Sequence, residues 1–216
     1  MKIVCLKYGE ALYPHKRLVA DITDDSEIPL SFCFYLIITE NKKILVDTGC
    51  DGVERYKMYV HKHPIDLLGE YGLSPEDITD VIITHTHFDH IDCIGAYKGA
   101  QIHIQKDEFE RAKDYLDSEY KCNVFEDSTE ICKDIRVQKI GGHTKGSCAV
   151  FAGKYILCGD EAYNSRNFKD KVRIGNCYSK EIAQEFVEKY SDSQFTPLLL
   201  HDFNIMPNRV GFEEIN

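Results

Sequence analysis

Three histidines and an aspartate fall within the six residues His85–His90, whose sequence is HTHFDH. This segment directly follows the apolar run 81–83, which predicts a buried strand. Neutral imidazole and carboxylate groups are good ligands for zinc and similar divalent cations. Without a cation, so many crowded histidines would leave buried ring nitrogens unsatisfied. The segment therefore predicts a metal site at the end of a buried strand.

The order of these side chains favours a pair of cations. In an extended segment side chains alternate between two faces, so His85, His87 and Asp89 share one side. His90 can join them only where the chain turns, and we therefore expect the strand to break near Asp89. Further ligands must come from downstream strand or loop ends, where the candidates are His143 in GGHT, Asp160 in LCGD and His201 after PLLL.

Taken in order, the motifs HTHFDH, GGHTKGS, CGD and LLLH resemble the metallo-beta-lactamase superfamily of hydrolases, from about Ile3 to His201. The upstream segments KILVDTG at 43–49 and LSPEDITD at 73–80 resemble it as well. The resemblance implies an α/β fold, a four-layer αβ/βα sandwich. It also implies that Asp47 orients a histidine ligand, although the motif by itself is equally compatible with a turn aspartate.

The resemblance assigns the ligands to two sites. One cation is expected on His85, His87 and His143, and the other on Asp89, His90 and His201, with Asp160 bridging them. Zinc is the expected metal at both sites, with iron and manganese as alternatives. A hydroxide between two such cations can attack a polarised carbonyl at neutral pH, and Asp89 is the candidate proton shuttle.

Tyr163 lies three residues after Asp160, where a phenol can donate to a developing oxyanion; a buried structural tyrosine is the alternative. This spacing, with NSRNF at 164–168 and IPLSFCFY at 28–35, is similar to N-acyl-homoserine lactone lactonases. The predicted substrate is therefore a small-molecule lactone or related carboxylic ester. Two alternatives stay open: a thioester hydrolase of the glyoxalase II type, and an iron-dependent redox enzyme of the same fold.

Size and charge narrow these classes. A length of 216 residues suits one domain, which we expect to span 1–216. The balance of 26 basic and 36 acidic residues gives a net charge of −10, which disfavours a nucleic-acid surface. Neither a signal peptide nor a membrane helix is apparent, so a cytoplasmic protein is expected. The nine cysteines contain no CxxC pair and are expected to be reduced thiols.

The remaining pattern predicts strands at 2–7, 32–38, 44–46, 101–105, 135–140, 148–151 and 155–158, and helices at 107–116 and 179–189. Residues 9–29 are expected to form a long loop, and residues 51–71 a mobile cover over the site. His61 and His63 are expected to face solvent, and His103 to be structural. Tyr8, Tyr13 and Phe34 are interpreted as core or surface aromatics, with pocket lining as the alternative.

Overall fold

A computed structural model describes residues 1–215. These residues contain two β-sheets with helices on the outer face of each. The strands are β1 Lys2–Pro14, β2 Glu27–Ile38, β3 Lys43–Val46, β4 Val60–His61, β5 Asp80–Ile83, β6 Gln101–Gln105, β7 Lys121–Phe125, β8 Ser128–Cys132, β9 Ile135–Lys139, β10 Cys148–Ala152, β11 Tyr155–Leu157, β12 Thr196–Leu198 and β13 Gly211–Ile215.

The α-helices are short except for the last one. They are α1 His15–Leu18, α2 Val53–Tyr56, α3 Pro64–Glu70, α4 Phe88–Ile91, α5 Lys106–Arg111, α6 Ser165–Lys169 and α7 Lys180–Ser191. Three 3₁₀ turns cover Pro75–Asp77, Asp92–Tyr97 and Gly159–Glu161. Among residues 1–215, no helix combines the length and apolar character needed to cross a bilayer.

The larger sheet has the strand order β13-β1-β2-β3-β5-β6-β7, with β4 paired to β1. Strands β3, β5, β6 and β7 run parallel to one another, and β1, β2 and β13 form antiparallel pairs. The smaller sheet has the order β12-β11-β10-β9-β8 and is antiparallel except where β11 meets β12.

The burial pattern explains why the two sheets stack face to face. Along β1, Val4 and Leu6 pack toward the helices, whereas Ile3 and Cys5 pack between the sheets. Along β10, Cys148 and Val150 lie in the core between the sheets, whereas Ala149 and Phe151 face the outer core that includes residues of α7. Because side chains alternate between the two faces of a strand, each sheet has one apolar face toward the other sheet and one toward its helices. Three apolar layers therefore separate four layers of helices and sheets. The expected αβ/βα sandwich is therefore confirmed.

The last helix was predicted well because its signals are local. Ser179 accepts a hydrogen bond from the backbone of Ile182 at 3.2 Å and caps the helix. Its buried residues Ala183, Phe186, Val187 and Tyr190 recur with helical spacing. The helix expected at 107–116 is shorter, since α5 ends at Arg111 and turns follow.

Two expectations for the first seventy residues were wrong. The loop predicted at 9–29 is much shorter, because β1 extends to Pro14, α1 follows it and β2 begins at Glu27. His61 and His63 are half-buried rather than solvent-facing. His61 lies in β4, and the Nδ1 atom of His63 accepts a hydrogen bond from the backbone of Ile65 at the start of α3.

Candidate metal centre

All seven predicted ligands lie near one edge of the two sheets. The HTHFDH segment begins just after β5 and runs into α4, which places Asp89 and His90 on a helical turn. His143 follows β9, Asp160 lies in the 3₁₀ turn after β11, and His201 follows β12. The strand ends at Ile83, six residues earlier than expected. The larger sheet thus supplies four of the candidate ligands and the smaller sheet three.

The first group consists of His85, His87, His143 and Asp160, whose ligand atoms all lie within 4.8 Å of one another. The Nδ1 atom of His87 is 3.0 Å from Nε2 of His85 and 2.9 Å from Nε2 of His143. Three ring nitrogens that converge in this way cannot satisfy one another, because a neutral imidazole has one donor and one acceptor. Their lone pairs can instead share one cation.

The second group consists of Asp89, His90 and His201. Oδ2 of Asp89 is 3.6 Å from Nε2 of each of the two histidines. The ring nitrogens Nε2 of His90 and His201 are 3.4 Å apart. This is a compact set of nitrogen and carboxylate ligands of the kind that binds a divalent cation.

Asp160 lies between the two groups. Its Oδ1 atom is 3.2 Å from Nε2 of His90 and 3.1 Å from Nε2 of His201. Its Oδ2 atom is 3.4 Å from Nε2 of His143 and 3.6 Å from Nε2 of His85. Oδ1 is buried and lacks a well-directed hydrogen bond from any atom of residues 1–215. One carboxylate oxygen therefore faces each group, which fits a residue shared by two cations.

The outer nitrogen of several histidines is already engaged. Nδ1 of His90 donates to Asp47 at 2.8 Å, Nδ1 of His201 to the Ser31 carbonyl at 2.7 Å, and Nδ1 of His143 to the Asn176 carbonyl at 3.1 Å. In the neutral imidazole these bonds hold the proton on Nδ1, which leaves the lone pair of Nε2 directed toward the centre. Asp47, expected to orient a histidine, therefore contacts His90.

Burial and charge act differently on the two groups. Burial lowers the pKa of His85 well below its ordinary value and the pKa of His143 to about 4, so both rings are neutral at pH 7. Burial also opposes charge on His90 and His201, but Asp160 and Asp89 together, with Asp47 beside His90, outweigh it and raise the pKa of both. The carboxylates therefore create an electrostatic field that attracts positive charge to the space between the ligand atoms.

Three contacting residues were not anticipated. Glu108 is fully buried and accepts hydrogen bonds from Thr86 and Thr144, which are neighbours of His85 and His143. Glu161 accepts hydrogen bonds from the backbone of His143 and from Ser147. Tyr56 donates to Oδ1 of Asp89 at 2.9 Å. Glu161 could have been found from the sequence because it directly follows the candidate ligand Asp160. Glu108 and Tyr56 are not next to a candidate ligand in the sequence, so nothing local points to them.

A cleft of about 380 Å³ opens onto the centre. Tyr163 lines this cleft, and burial together with nearby Asp160 raises the pKa of its phenol, which therefore stays protonated. Of the other aromatics considered, Tyr13 lines the cleft, whereas Tyr8 and Phe34 are core residues. Part of the expected cover, Arg55 and Tyr56 of α2, borders it as well. The full lining is Tyr13, Arg17, Leu30, Phe32, Arg55, Tyr56, His87, Phe88, Asp89, Asp160, Tyr163, Asn176 and His201.

The sandwich fold and the histidine–aspartate centre together define a metal-dependent hydrolase. The family model of the metallo-beta-lactamase superfamily matches residues 32–192. The chain therefore belongs to the metallo-beta-lactamase superfamily.

Comparison with individual proteins gives similar relatives. The chain is 24% identical over 219 residues to the N-acyl homoserine lactonase AiiA of Bacillus thuringiensis subsp. kurstaki, covering 88% of this chain and 87% of that protein. It is 31% identical over 146 residues to a probable metallo-hydrolase of Methanocaldococcus jannaschii, covering 68% of this chain and 64% of that one.

Solved structures confirm the fold. A quorum-quenching N-acyl homoserine lactone lactonase superposes with a TM-score of 0.82 at 23% identity, over 94% of this chain and 92% of that one. An N-acyl homoserine lactone hydrolase, solved with the product N-hexanoyl-L-homoserine at its catalytic metal centre, gives a TM-score of 0.79 at 22% identity, over 94% of each chain.

Proposed function

We propose that this protein hydrolyses a lactone or related carboxylic ester of a small-molecule substrate, and that residues 1–216 act as one domain. Seven residues would hold two divalent cations: His85, His87 and His143 one of them, Asp89, His90 and His201 the other, and Asp160 both. When bound, such a pair supplies an acidified water and Lewis acidity toward a carbonyl oxygen. The bridging position of Asp160 is the observation that carries this proposal.

We propose that Asp89 moves a proton in this reaction. Its Oδ1 atom is fixed by the hydroxyl of Tyr56, while Oδ2 faces Nε2 of His90 and His201. Asp89 also lines the cleft, so a substrate in the cleft is within its reach. We assign it the transfer of a proton to the leaving oxygen after the ester bond breaks.

We propose that Tyr163 stabilises negative charge on the substrate. Its ring centroid is 5.8 Å from that of His143 and 5.4 Å from that of His201. The side chain therefore lies beside histidines of both groups and lines the cleft. Its phenolic O–H can donate to the carbonyl oxygen as that atom gains charge.

We propose zinc as the physiological metal, since the set of five histidines and two aspartates suits it. Elemental analysis of protein purified without added metal separates zinc from iron and manganese. About two equivalents of metal per chain are expected. One equivalent, held by His85, His87 and His143 alone, would contradict a dinuclear centre.

The reaction is tested with a lactone panel and with S-acyl-glutathione as the thioester comparison. Lactone turnover is expected to rise with added zinc and to stop with a chelator. In Asp89→Asn protein that elemental analysis shows to hold both cations, kcat is expected to be lower by about 10²–10⁴-fold. Asp92→Asn changes a carboxylate that lies outside the cleft and is the matched control. Fully loaded protein that turns over no lactone, ester or thioester would refute the proposal.

A further inference from the structure

Two arginines line the cleft that leads to the candidate metal centre. Arg17 belongs to α1 and Arg55 to α2, and both side chains are exposed. They come from segments nearly forty positions apart that meet at one opening. This basic lining is unexpected in a chain with 36 acidic and 26 basic residues.

Neither guanidinium has a carboxylate partner in the part of the chain that the structure describes. Among residues 1–215, no aspartate or glutamate oxygen lies within 4.0 Å of Arg17 or Arg55, although many surface cations, such as Arg166 with Asp170, are paired. Asp89 and Asp160 share the cleft but face the imidazoles of the centre. The hydrogen-bonding capacity of both arginines is therefore available to a ligand.

Both side chains are supported by rings that line the same cleft. The guanidinium carbon of Arg55 is 4.4 Å from the ring centroid of Phe88 and 5.9 Å from that of Tyr56. The guanidinium carbon of Arg17 is 5.8 Å from the ring centroid of Tyr13. A planar guanidinium over an aromatic face keeps its N–H groups directed outward, which preorganises it for an oxyanion.

Hydrogen bonds connect the backbone of Arg17 to a candidate metal ligand. Its carbonyl accepts hydrogen bonds from the backbone of Gly175 and Asn176, each at 3.0 Å, and the Asn176 carbonyl accepts from His143. Gly175 allows this close approach, because a Cβ there would lie 1.8 Å from the Lys16 carbonyl oxygen. Arg17 is therefore held at a fixed place relative to a metal ligand.

We infer that the substrate carries an oxyanion, a carboxylate or a phosphate, away from its scissile bond, and that Arg17 and Arg55 bind it. This inference rests on the proposed hydrolysis. A purely apolar acyl chain in the cleft would displace water from the two guanidinium groups and would not replace the hydrogen bonds that this water makes with them. An oxyanion replaces them with charge-assisted bonds, and arginine forms these in bidentate geometry.

The test uses three butyrolactones with side chains of equal length that end in a carboxylate, a phosphate or a neutral carboxamide. With zinc-loaded protein, kcat/KM for at least one anionic lactone is expected to exceed that for the carboxamide by about 10–100-fold. The preferred anion distinguishes carboxylate from phosphate. The preference should shrink as salt is added, because the arginines are exposed.

The matched variants are R17Q/R55Q and R136Q. The ratio of kcat/KM between anionic and neutral lactone is expected to fall to about one in R17Q/R55Q. Arg136 is also exposed and lies 4.6 Å from an aromatic centroid, that of Phe151, but is outside the cleft. R136Q should therefore keep the wild-type ratio. Equal hydrolysis of all three lactones by the wild type would overturn the inference and leave the proposed function intact.

If no lactone is hydrolysed, the proposed function fails and a binding measurement decides the inference. Calorimetric titration with the three unhydrolysed lactones is expected to give about 10–100-fold weaker binding of the carboxamide form than of the preferred anionic form. R17Q/R55Q should bind both forms with similar affinity. Equal affinity of the wild type for all forms would overturn the inference.

Discussion

Glu108 is a single buried carboxylate that joins the two loops carrying the three histidines of the first group. Oε2 accepts hydrogen bonds from the backbone and the hydroxyl of Thr86, at 2.8 and 2.6 Å. Oε1 accepts from the hydroxyl of Thr144 at 2.7 Å and from the backbone of Gly146 at 3.1 Å. Thr86 lies between His85 and His87, and Thr144 follows His143, so Glu108 fixes the distance between these histidines.

Replacing Glu108 by glutamine should weaken metal binding. The amide nitrogen is a donor and would face two donor groups where one carboxylate oxygen now accepts both. Metal affinity is expected to fall by about 10–100-fold, as for other residues that position ligands. Competition with a chromophoric chelator measures it. Glu110→Gln on the same helix, where Glu110 is exposed, is the control. Equal affinities for both variants would show that Glu108 does not position the ligands.

Among single residues, the sequence predicted those candidate site residues that stand beside other candidate site residues in the chain. His85 to His90 stand together, and their clustering is itself the signal. Asp47 was expected from the resemblance to the family, and its positive φ of 64° at a buried position marks it as strained backbone held by its contacts. Glu108 and Tyr56 lie 22 and 33 positions from the residues they contact, so only the folded chain identifies them.

Among the elements, the first hairpin shows why a strand pattern can be hidden. Lys7 and Glu10 are fully buried within β1 and interrupt its apolar alternation. They pair with each other, and Nζ of Lys7 also donates to the carbonyls of Ile205 and Met206. A register shift between Lys7 and Gly9 adds a bulge. The two carbonyl groups that bind Lys7 lie about 200 positions away, so the sequence does not reveal that the strand continues past Lys7.

Asp80 links the ends of neighbouring strands and gives a prediction for pH. It accepts hydrogen bonds from Lys42 before β3, from Thr79 and from His103 of β6, which agrees with the expected structural role of His103. Burial alone would raise its pKa, but these partners lower the pKa of Asp80 to about 2. Because the folded pKa lies below the unfolded value, the stabilisation is complete above about pH 5 and is lost as pH falls through 2.

The expected contribution to the free energy of unfolding is about 2 kcal/mol at pH 7, with about half lost by pH 3. Asp80→Asn should therefore destabilise the protein at pH 7, and its difference from wild type should shrink at pH 3. Urea unfolding at both pH values measures this. Asp114→Asn changes an exposed carboxylate and should show neither effect. A difference that is equal at both pH values would contradict the assignment.

For the whole molecule, the essential feature is that the candidate ligands come from both sheets. The HTHFDH segment leaves the larger sheet at β5, whereas His143, Asp160 and His201 follow strands of the smaller sheet. Periodicity predicted many of these strands, but it could not tell which sheet each belongs to, since β11 and β12 pair across about forty residues. The resemblance to a known family supplied that arrangement. The strands β7, β8 and β13 were not predicted at all.

A cation bound at this edge connects the two halves of the sandwich, so metal removal should lower the stability of the entire fold. A ligand at 100 times its Kd stabilises the native state by about 2.7 kcal/mol, which corresponds to a rise in Tm of about 5–10 °C for a chain of this size. Thermal unfolding of zinc-loaded protein, with and without a chelator, measures the shift. His85→Ala should abolish most of it, whereas His103→Gln, which lies outside both ligand groups, should retain it. Binding at residues from both sheets must favour the packed arrangement of the sheets over the separated one. Unchanged unfolding after complete metal removal would therefore contradict this prediction. It would mean that the apolar core alone holds the two sheets together.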